Sequence, residues 1–460
     1  LTEEQQDHFK SLNERVSQNT TLQSMLLAEQ AVYTLLNDVQ KNIGQPLSKS
    51  IRGFEKSLIM KFIHLADAHL DSPFRGLSFL PNREYAEIRQ SAAQSLTRIV
   101  DLALKEQVDL VLIAGDTFDS NKPSPASQLF LARQVKRLTD AQIQVVMIFG
   151  NHDYMTRQDL LVENSPYFCL LGDQEKVARE FFKTKTGFAY NVTGFSYSQN
   201  HIEADLLDQF PEKEGYTIGL MHAAQRAASG NVYAPFDLSQ MKELNYDYFA
   251  LGHIHARQIL SEKPLIVYPG NIQGRDVGEL GEKGCYLAEV DETSGQISLT
   301  FVQTAPITWK QLTLELDQAI DKSSLHAKAL ELLQENIQGK TYFSLKISGS
   351  EYLTSEEIDL WQDQEAWAGL SAALAPAQLV DVRLSVRGLV SLNNSDREAL
   401  AAAEAEVLTD EKIQQLAASW AKKDPYARRL LEDGEFRGQV RDLVAVKLAR
   451  RLQAMTGGEE

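Results

Sequence analysis

The spacing of hydrophobic positions changes along the chain and divides it into regions. Between Thr21 and Ile43, residues Leu22, Met25, Val32, Leu36, Val39 and Ile43 fall at steps of three and four, with only Glu29 interrupting. This predicts an amphipathic helix. Gly44, Pro46 and Gly53 end it and mark a linker. From about Ile59 to Thr304 short apolar runs alternate with polar helical stretches, the pattern of a layered α/β domain. From about Thr308 to Leu389, "QLTLELD", "YFSLKISG" and "LVDVRLSVRG" read as strands separated by two helical stretches. The second of these opens with Thr354 and Glu357 at capping-box spacing, so a small β-α-β-α-β module is expected. The remainder is helical. Ser395 and Glu398 repeat the capping-box spacing, and Pro425 after Asp424 suits a helix start. In the last helix Val440, Val444, Leu448, Leu452 and Met455 form one stripe, with Arg441, Lys447, Arg450 and Arg451 around it. That stripe is either a docking face or the side packed on the preceding module. The expected segments are 1–56, 59–305, 306–392 and 393–460.

Length and composition narrow the class. At 460 residues the chain exceeds what one core usually organises. Its 43% apolar and 24% charged residues are those of a folded soluble protein. The opening "LTEEQQDHFKSLNERV" is too charged for a signal peptide, and no run approaches the roughly 18 apolar residues that span a bilayer. A cytoplasmic protein without a membrane partner is expected. Cys169 and Cys285 stand far apart and outside any metal-ligand spacing, so both are expected as inert core thiols. The net charge of −17 disfavours an unaided grip on duplex nucleic acid over a broad basic surface. It does not disfavour phosphate chemistry, because divalent ions bring positive charge to a site built of acids and imidazoles.

Five apolar runs end in polar clusters. "FIHLADAH" ends in Asp67 and His69, "LVLIAGDTFD" in Asp116 and Asp119, and "VVMIFGNHD" in Asn151, His152 and Asp153. "TIGLMH" ends in His222, and "YFALGHIH" in His253 and His255. Buried parallel strands read as continuous apolar runs, and ligands of layered α/β folds bind at the carboxyl ends of such strands. Side chains at i and i+2 of a strand share a face, which lets Asp67 and His69 grip one ion. A bend after Gly252 could send His253 and His255 to different ions. Gly115, Gly150 and Gly252 precede ligands where a strand must turn. Carboxylate, amide and imidazole donors without thiolates suit Mn²⁺, Fe²⁺ or Zn²⁺. Their number suits two ions, with Mn²⁺ expected first and Mg²⁺ a further alternative.

D-x-H, G-D-x-x-D, G-N-H-D, a lone His after an apolar strand, and G-H-x-H, in that order, resemble the five motifs of calcineurin-like metallophosphoesterases. They take five of the nine histidines, which leaves coincidence little room. The resemblance implies a layered core, a β-sandwich flanked by helices. It implies that Asp67, His69, Asp116 and His255 hold one ion, and Asp116, Asn151, His222 and His253 the other. His152 would be the acid beside the leaving group, oriented by Asp119. Two ions about 3.5 to 4 Å apart can bridge a hydroxide that attacks phosphorus. The leaving oxygen then needs a proton, which a neighbouring carboxylate such as Asp119 would help His152 to carry. His64, inside the first run, is expected to pack. His8, His201 and His326 lie outside any motif.

Substrate class depends on further details. Phosphatases of this family carry G-N-H-E and an Arg directly after G-D-x-x-D, where this chain has Asp153 and Ser120. "FIHLADAHLDSP", "GDTFDSNKPSP", "YPGNIQGR" and "EKGCY", followed by a small α/β module and a helical tail, are similar to SbcD-like DNA repair exonucleases of the YhaO type. That resemblance covers Ile59 to the C-terminus and is loose after residue 285. It implies a DNA exonuclease or endonuclease whose small module is an α/β capping domain over the active site. Its helical tail would bind the coiled-coil base of an SMC-like ABC ATPase, SbcC or YhaN, and it would work as a homodimer on DNA ends. Asn271 and Arg275 in "PGNIQGR" are candidate substrate contacts, Arg through its bidentate fork. Arg226 and Arg257 are weaker candidates of the same kind. The alternatives are a regulatory phosphodiesterase or phosphatase on a non-DNA phosphoester, or a helical interaction scaffold.

"LLAEQAVYTLLNDVQKNI" resembles the C-terminal helix of the YlbF/YmcA/YheA group over about residues 4 to 50. On this reading a piece of a helical module, fused naturally or artificially, precedes a nuclease chain whose former start is Met60. An ordinary N-terminal helical extension is the other reading. An exposed apolar stripe seeks a partner, so residues 20 to 45 are expected to drive self-association. Deleting residues 1 to 56 should then lower the oligomer mass measured by light scattering, and an unchanged mass would remove this expectation.

Overall fold

The computed structural model describes residues 58–74, 77, 79–226, 232–386, 402–403, 405–423 and 425–456. The N-terminal helix expected at Thr21–Ile43 and the capping pair Ser395 and Glu398 lie outside the described residues. The chain divides into two compact units, Leu1–Leu58 and Ile59–Glu460.

The second unit opens with β1 (Ile59–Leu65), α1 (Asn82–Arg89), α2 (Ser91–Glu106), β2 (Leu110–Ala114), α3 (Pro125–Asp140) and β3 (Gln144–Ile148). There follow β4 (Phe168–Leu170), β5 (Ala178–Lys183), β6 (Ala189–Gly194), β7 (Tyr216–His222), α4 (Leu238–Glu243) and β8 (Tyr248–Gly252). The core closes with β9 (Gln258–Glu262), β10 (Leu265–Tyr268), β11 (Gly284–Asp291) and β12 (Ile297–Gln303). Two six-stranded sheets result, ordered β12-β11-β1-β2-β3-β4 and β5-β6-β7-β8-β10-β9. Strands β1 to β3 pair in parallel because helical crossovers separate them, and β7 and β8 pair in parallel in the second sheet. The crossover helix α3 starts sharply, with Ser124 accepting from Ser127 N and Pro125 in the first turn.

The sheets stack face to face. Met60, Phe62, Leu112 and Ile148 of one interlock with Val192, Ile218, Leu220, Tyr248 and Val267 of the other. The outer face of the first sheet packs Ile63, Leu65, Val111 and Val145 against α2 and α3. That of the second is covered by α4 and the preceding loops through Phe210, Phe236, Met241 and Tyr246. This is a β-sandwich flanked by helices, and burial on both faces explains why its central strands are continuously apolar.

After β12 come β13 (Thr308–Glu315), α5 (Lys322–Glu335), β14 (Thr341–Ser348), α6 (Ser355–Gln362), α7 (Ala368–Ala373) and β15 (Gln378–Ser385). They form a three-stranded, all-parallel sheet in sequential order. Thr354 and Glu357 make a reciprocal capping box on α6. This small domain is joined to the core by Trp309, Tyr342, Ile307 and Val380 packed on Phe74, Leu77, Leu80 and Ile88, and by an ion pair between Lys340 and Glu87. Trp309 Nε1 also donates to the carbonyl of Gly274 at 2.7 Å.

The tail folds as α8 (Asp410–Lys423), α9 (Pro425–Glu432) and α10 (Gly434–Thr456). Of the stripe expected on α10, the side chains of Leu452 and Met455 lie outside the described residues, and the described part does not share one environment. Val446, 1% exposed, lies in the core of the small domain, whereas Val440 packs with α8 and α9 and Val444 faces solvent. Apolar residues occur all round α10, so three-four spacing selects no single face, and packing against β15 decides. Among the described residues no helix is long and apolar enough to cross a membrane. Trp309 is the largest buried side chain at the junction between core and small domain. Trp309→Ala should cost about 3–5 kcal/mol, measured as a lower denaturant midpoint in equilibrium unfolding.

Candidate metal centre

The carboxyl ends of β1, β2 and β3 in one sheet and of β7 and β8 in the other meet at one edge of the sandwich. The chain leaves these strands through unusual backbone: φ is 52° at Asp67, 42° at His69, 49° at Asp116 and 97° at His253. Left-handed conformations are uncommon outside glycine, and Asp and His tolerate them better than branched residues. Asp67 and His69 therefore converge by turns beyond the end of β1, not by sharing a strand face. Their backbone N–H groups donate to the carbonyls of Gly115 (3.1 Å) and Asp116 (3.0 Å), which locks the first loop to the second. Gly252 permits the turn after β8, since a Cβ there would stand 1.9 Å from the Ala114 carbonyl oxygen.

The expected ligands come together. Asp67, His69 and His255 offer donor atoms within 4.8 Å of one another, as do Asp67, Asp116 and His222. His69 Nε2 faces His255 Nε2 at 3.0 Å. Asn151 Oδ1 is approached by His222 Nε2 at 2.9 Å and by His253 Nδ1 at 3.0 Å. The backbone turn at His253 thus sends it to Asn151, while His255 goes to His69. His222 Nδ1 lies 3.0 Å from the Ala114 carbonyl, which leaves Nε2 facing Asp116 Oδ2 at 3.3 Å. Asp67 accepts from the His253 N–H at 3.1 Å, and Asp116 Oδ1 from the His152 N–H at 2.9 Å.

Charge is tightly balanced. Burial penalises both Asp116 and His222, yet their mutual attraction wins: the Asp116 carboxyl is held far below its usual range and His222 is pushed up to about 9. Burial lowers His69, aided by Arg275, and lowers His253 to about 3, aided by His222. His69 and His253 are thus held as neutral imidazoles, the form that binds cations, whereas His222 keeps its proton beside Asp116 and would release it on binding one. No thiol takes part, as burial pushes Cys169 to about 11 and Cys285 to about 12. The donor set fits hard to borderline divalent ions.

His152 is exposed at the rim, and its Nδ1 meets the backbone carbonyl of Asp119 at 3.2 Å. The Asp119 carboxylate turns elsewhere, to His69 Nδ1 at 3.3 Å and Arg275 Nη1 at 3.1 Å. Asp119 therefore meets His152 through its main-chain carbonyl, while its carboxylate also lies within 4.8 Å of the His152 and His69 ring nitrogens. Asn271 is 0% exposed, and its amide nitrogen donates to Glu279 and to the Gln273 carbonyl, so it shapes its loop and does not face substrate. Arg275 is part-exposed at the rim. Arg226 pairs with Asp205, and Arg257 lies over the Phe301 ring.

The roles of two residues escaped sequence reasoning. Asp153 is buried and clamps the loops, accepting from Gly150 N and Thr117 N at 2.7 Å and from Phe118 N at 3.3 Å. Glu279 sits under His255 in a loop rich in charges, where spacing singles out none. His64 packs as expected: it faces the second sheet, with Nδ1 2.9 Å from Tyr248 Oη and Nε2 3.2 Å from the Leu251 carbonyl.

Burial lowers His64 to about 3. The unfolded chain takes up this proton near pH 6.5 and the folded chain only near 3, so stability falls as pH drops through that window. The slope from this residue should reach at most about 1.4 kcal/mol per pH unit. Urea unfolding of metal-free protein at several pH values should show it, and His64→Gln should flatten it.

Residues 60–257 match the family model described as calcineurin-like phosphoesterase. Residues 1–48 match the one described as control of competence regulator ComK, YlbF/YmcA. The metallophosphoesterase YhaO of Bacillus subtilis is 36% identical over 270 residues, 58% of this chain and 65% of YhaO. The SbcD component of the SbcCD nuclease of Staphylococcus epidermidis is 24% identical over 336 residues, 66% of this chain and 83% of that protein. A UPF0342 protein of Lactobacillus delbrueckii subsp. bulgaricus is 86% identical over 57 residues, 12% of this chain and 49% of that protein. The chain thus spans less than two thirds of the length of YhaO and about half that of the UPF0342 protein. The five-motif edge, its donor set and these matches agree: the chain carries a calcineurin-like metallophosphoesterase domain homologous to YhaO and SbcD, preceded by a segment of the YlbF/YmcA type.

Proposed function

We propose that this chain is a two-metal phosphodiesterase that hydrolyses DNA at its ends, in the cytoplasm and together with an SMC-like ABC ATPase. The observation that carries the reading is the convergence of Asp67, His69, Asp116, Asn151, His222, His253 and His255 on one sandwich edge beside exposed His152. One ion would take Asp67, His69, Asp116 and His255, and the other Asp116, Asn151, His222 and His253. Bound there, two divalent ions supply Lewis acidity toward phosphate oxygens and lower the pKa of water, with Mn²⁺ the expected metal.

The chain's own residues supply the rest. With Nδ1–H directed at the Asp119 carbonyl, His152 presents Nε2 outward, where its proton can reach the leaving oxygen. Asp116 accepts the His152 main-chain N–H, so the acid is fixed relative to the proposed bridging ligand. Arg275, held by Asp119 and Glu279 at the rim, offers positive charge for phosphate. The ATPase assignment is supported by Leu416 and Trp420, 82% and 69% exposed and one turn apart on α8, an apolar face suited to a partner helix. A partner ATPase and dimerisation would supply much of the DNA grip that a net charge of −17 disfavours in the chain alone.

Linear duplex DNA incubated with the purified chain and Mn²⁺ should be degraded. Asp116→Ala should abolish this, and His152→Ala should lower the rate about 10²–10⁴-fold while leaving bound metal unchanged. If the chain hydrolyses only small diesters such as bis-p-nitrophenyl phosphate, even with a YhaN- or SbcC-type ATPase added, the nuclease reading fails.

A further inference from the structure

The loop between Asn271 and Glu279 ends in a carboxylate whose hydrogen-bonding capacity is fully used at the metal centre. Glu279 Oε1 meets His255 Nδ1 at 2.6 Å and accepts from Arg275 Nε at 3.3 Å. Glu279 Oε2 accepts from Asn271 Nδ2 at 2.6 Å and from Arg275 N at 2.8 Å. The other end of His255 is also held, because its carbonyl accepts from the buried Lys283 Nζ at 2.7 Å. The two imidazoles that face each other through Nε2 share one design: His69 has Nδ1 beside Asp119, His255 has Nδ1 on Glu279, and Arg275 joins the two carboxylates.

We infer that Glu279 is a positioning residue of the metal centre, fixing His255 in its Nδ1–H tautomer and aiming the Nε2 lone pair at the ion position shared with Asp67 and His69. A carboxylate accepts and does not donate, so a hydrogen bond to it places the proton on His255 Nδ1. Nε2 is then left bare as the ligand atom. Carboxylates behind a metal-binding imidazole orient the ring and raise its basicity, and their loss weakens metal affinity about 10–100-fold. The inference rests on the two-ion reading, and its test avoids hydrolysis altogether.

Metal-stripped full-length chain is titrated with Mn²⁺ by calorimetry, and its histidine tautomers are read by ¹⁵N NMR. Wild type should take up two equivalents and show His255 protonated on Nδ1 before metal is added. Glu279→Ala should weaken one equivalent about 10–100-fold, leave the other, and lose the Nδ1–H signal. Glu279→Gln, whose amide oxygen still accepts that proton, should restore most of the affinity and the tautomer. Should Glu279→Ala not fold, Glu279→Asp takes its place, with a carboxylate one methylene short that should weaken the same equivalent. Two equivalents bound at wild-type affinity by a folded Glu279→Ala or Glu279→Asp, or an unchanged tautomer, would overturn the role of Glu279 alone. A wild type that binds no Mn²⁺ would overturn the centre as well.

Discussion

A carboxylate removed from water needs compensating charge or hydrogen bonds, and Asp116, 1% exposed, is such a group at the meeting point of the two sheets. It is met by the His152 main-chain N–H, by His222 and, at longer range, by His69. Each of these groups comes from a different loop, so placing one buried charge fixes the mutual position of several strand ends. The left-handed backbone at Asp67, His69, Asp116 and His253 accompanies this placement. Asp153 stabilises the turns from behind by accepting N–H groups of two loops that the turns leave without ladder partners.

Much of this was legible in the sequence, for a physical reason. Strands buried on both faces must be apolar throughout, so a polar residue at the end of such a run stands out. Asp67, Asp116, Asn151, His222 and His253 were visible in this way. The small domain was legible too, because period-two strands alternate with capped helices, and the Thr354–Glu357 box closes as its spacing predicts. Residues that act from behind were not legible. Glu279 lies in a loop among Arg275, Asp276, Glu282 and Lys283, where no periodicity separates a buried, hydrogen-bonded carboxylate from a solvated charge. Asn271 had a suggestive position and turned out buried, because loop burial is decided by tertiary packing.

The last helix teaches the same point from the other side. A stripe at three-four spacing locates a buried face only when the opposite face is polar. With apolar residues distributed around α10, Val446 enters the small domain while Val444 stays in solvent. Helix existence was readable from local pattern, and helix rotation was not. The exposed Leu416 and Trp420 lie on α8, whose Ile413 and Ala417 pack inside the tail.

The hydrogen bond from Trp309 to the Gly274 carbonyl joins two parts of the molecule with different tasks. Gly274 immediately precedes Arg275, and the same loop carries the carboxylate under His255. Gln273 reinforces the joint by donating to the Ile307 carbonyl. A tilt of the three-stranded sheet is therefore felt in the loop that carries Arg275 and Glu279, through these direct hydrogen bonds. The orientation of the small domain and the placement of the loop beneath His255 are thus mechanically joined.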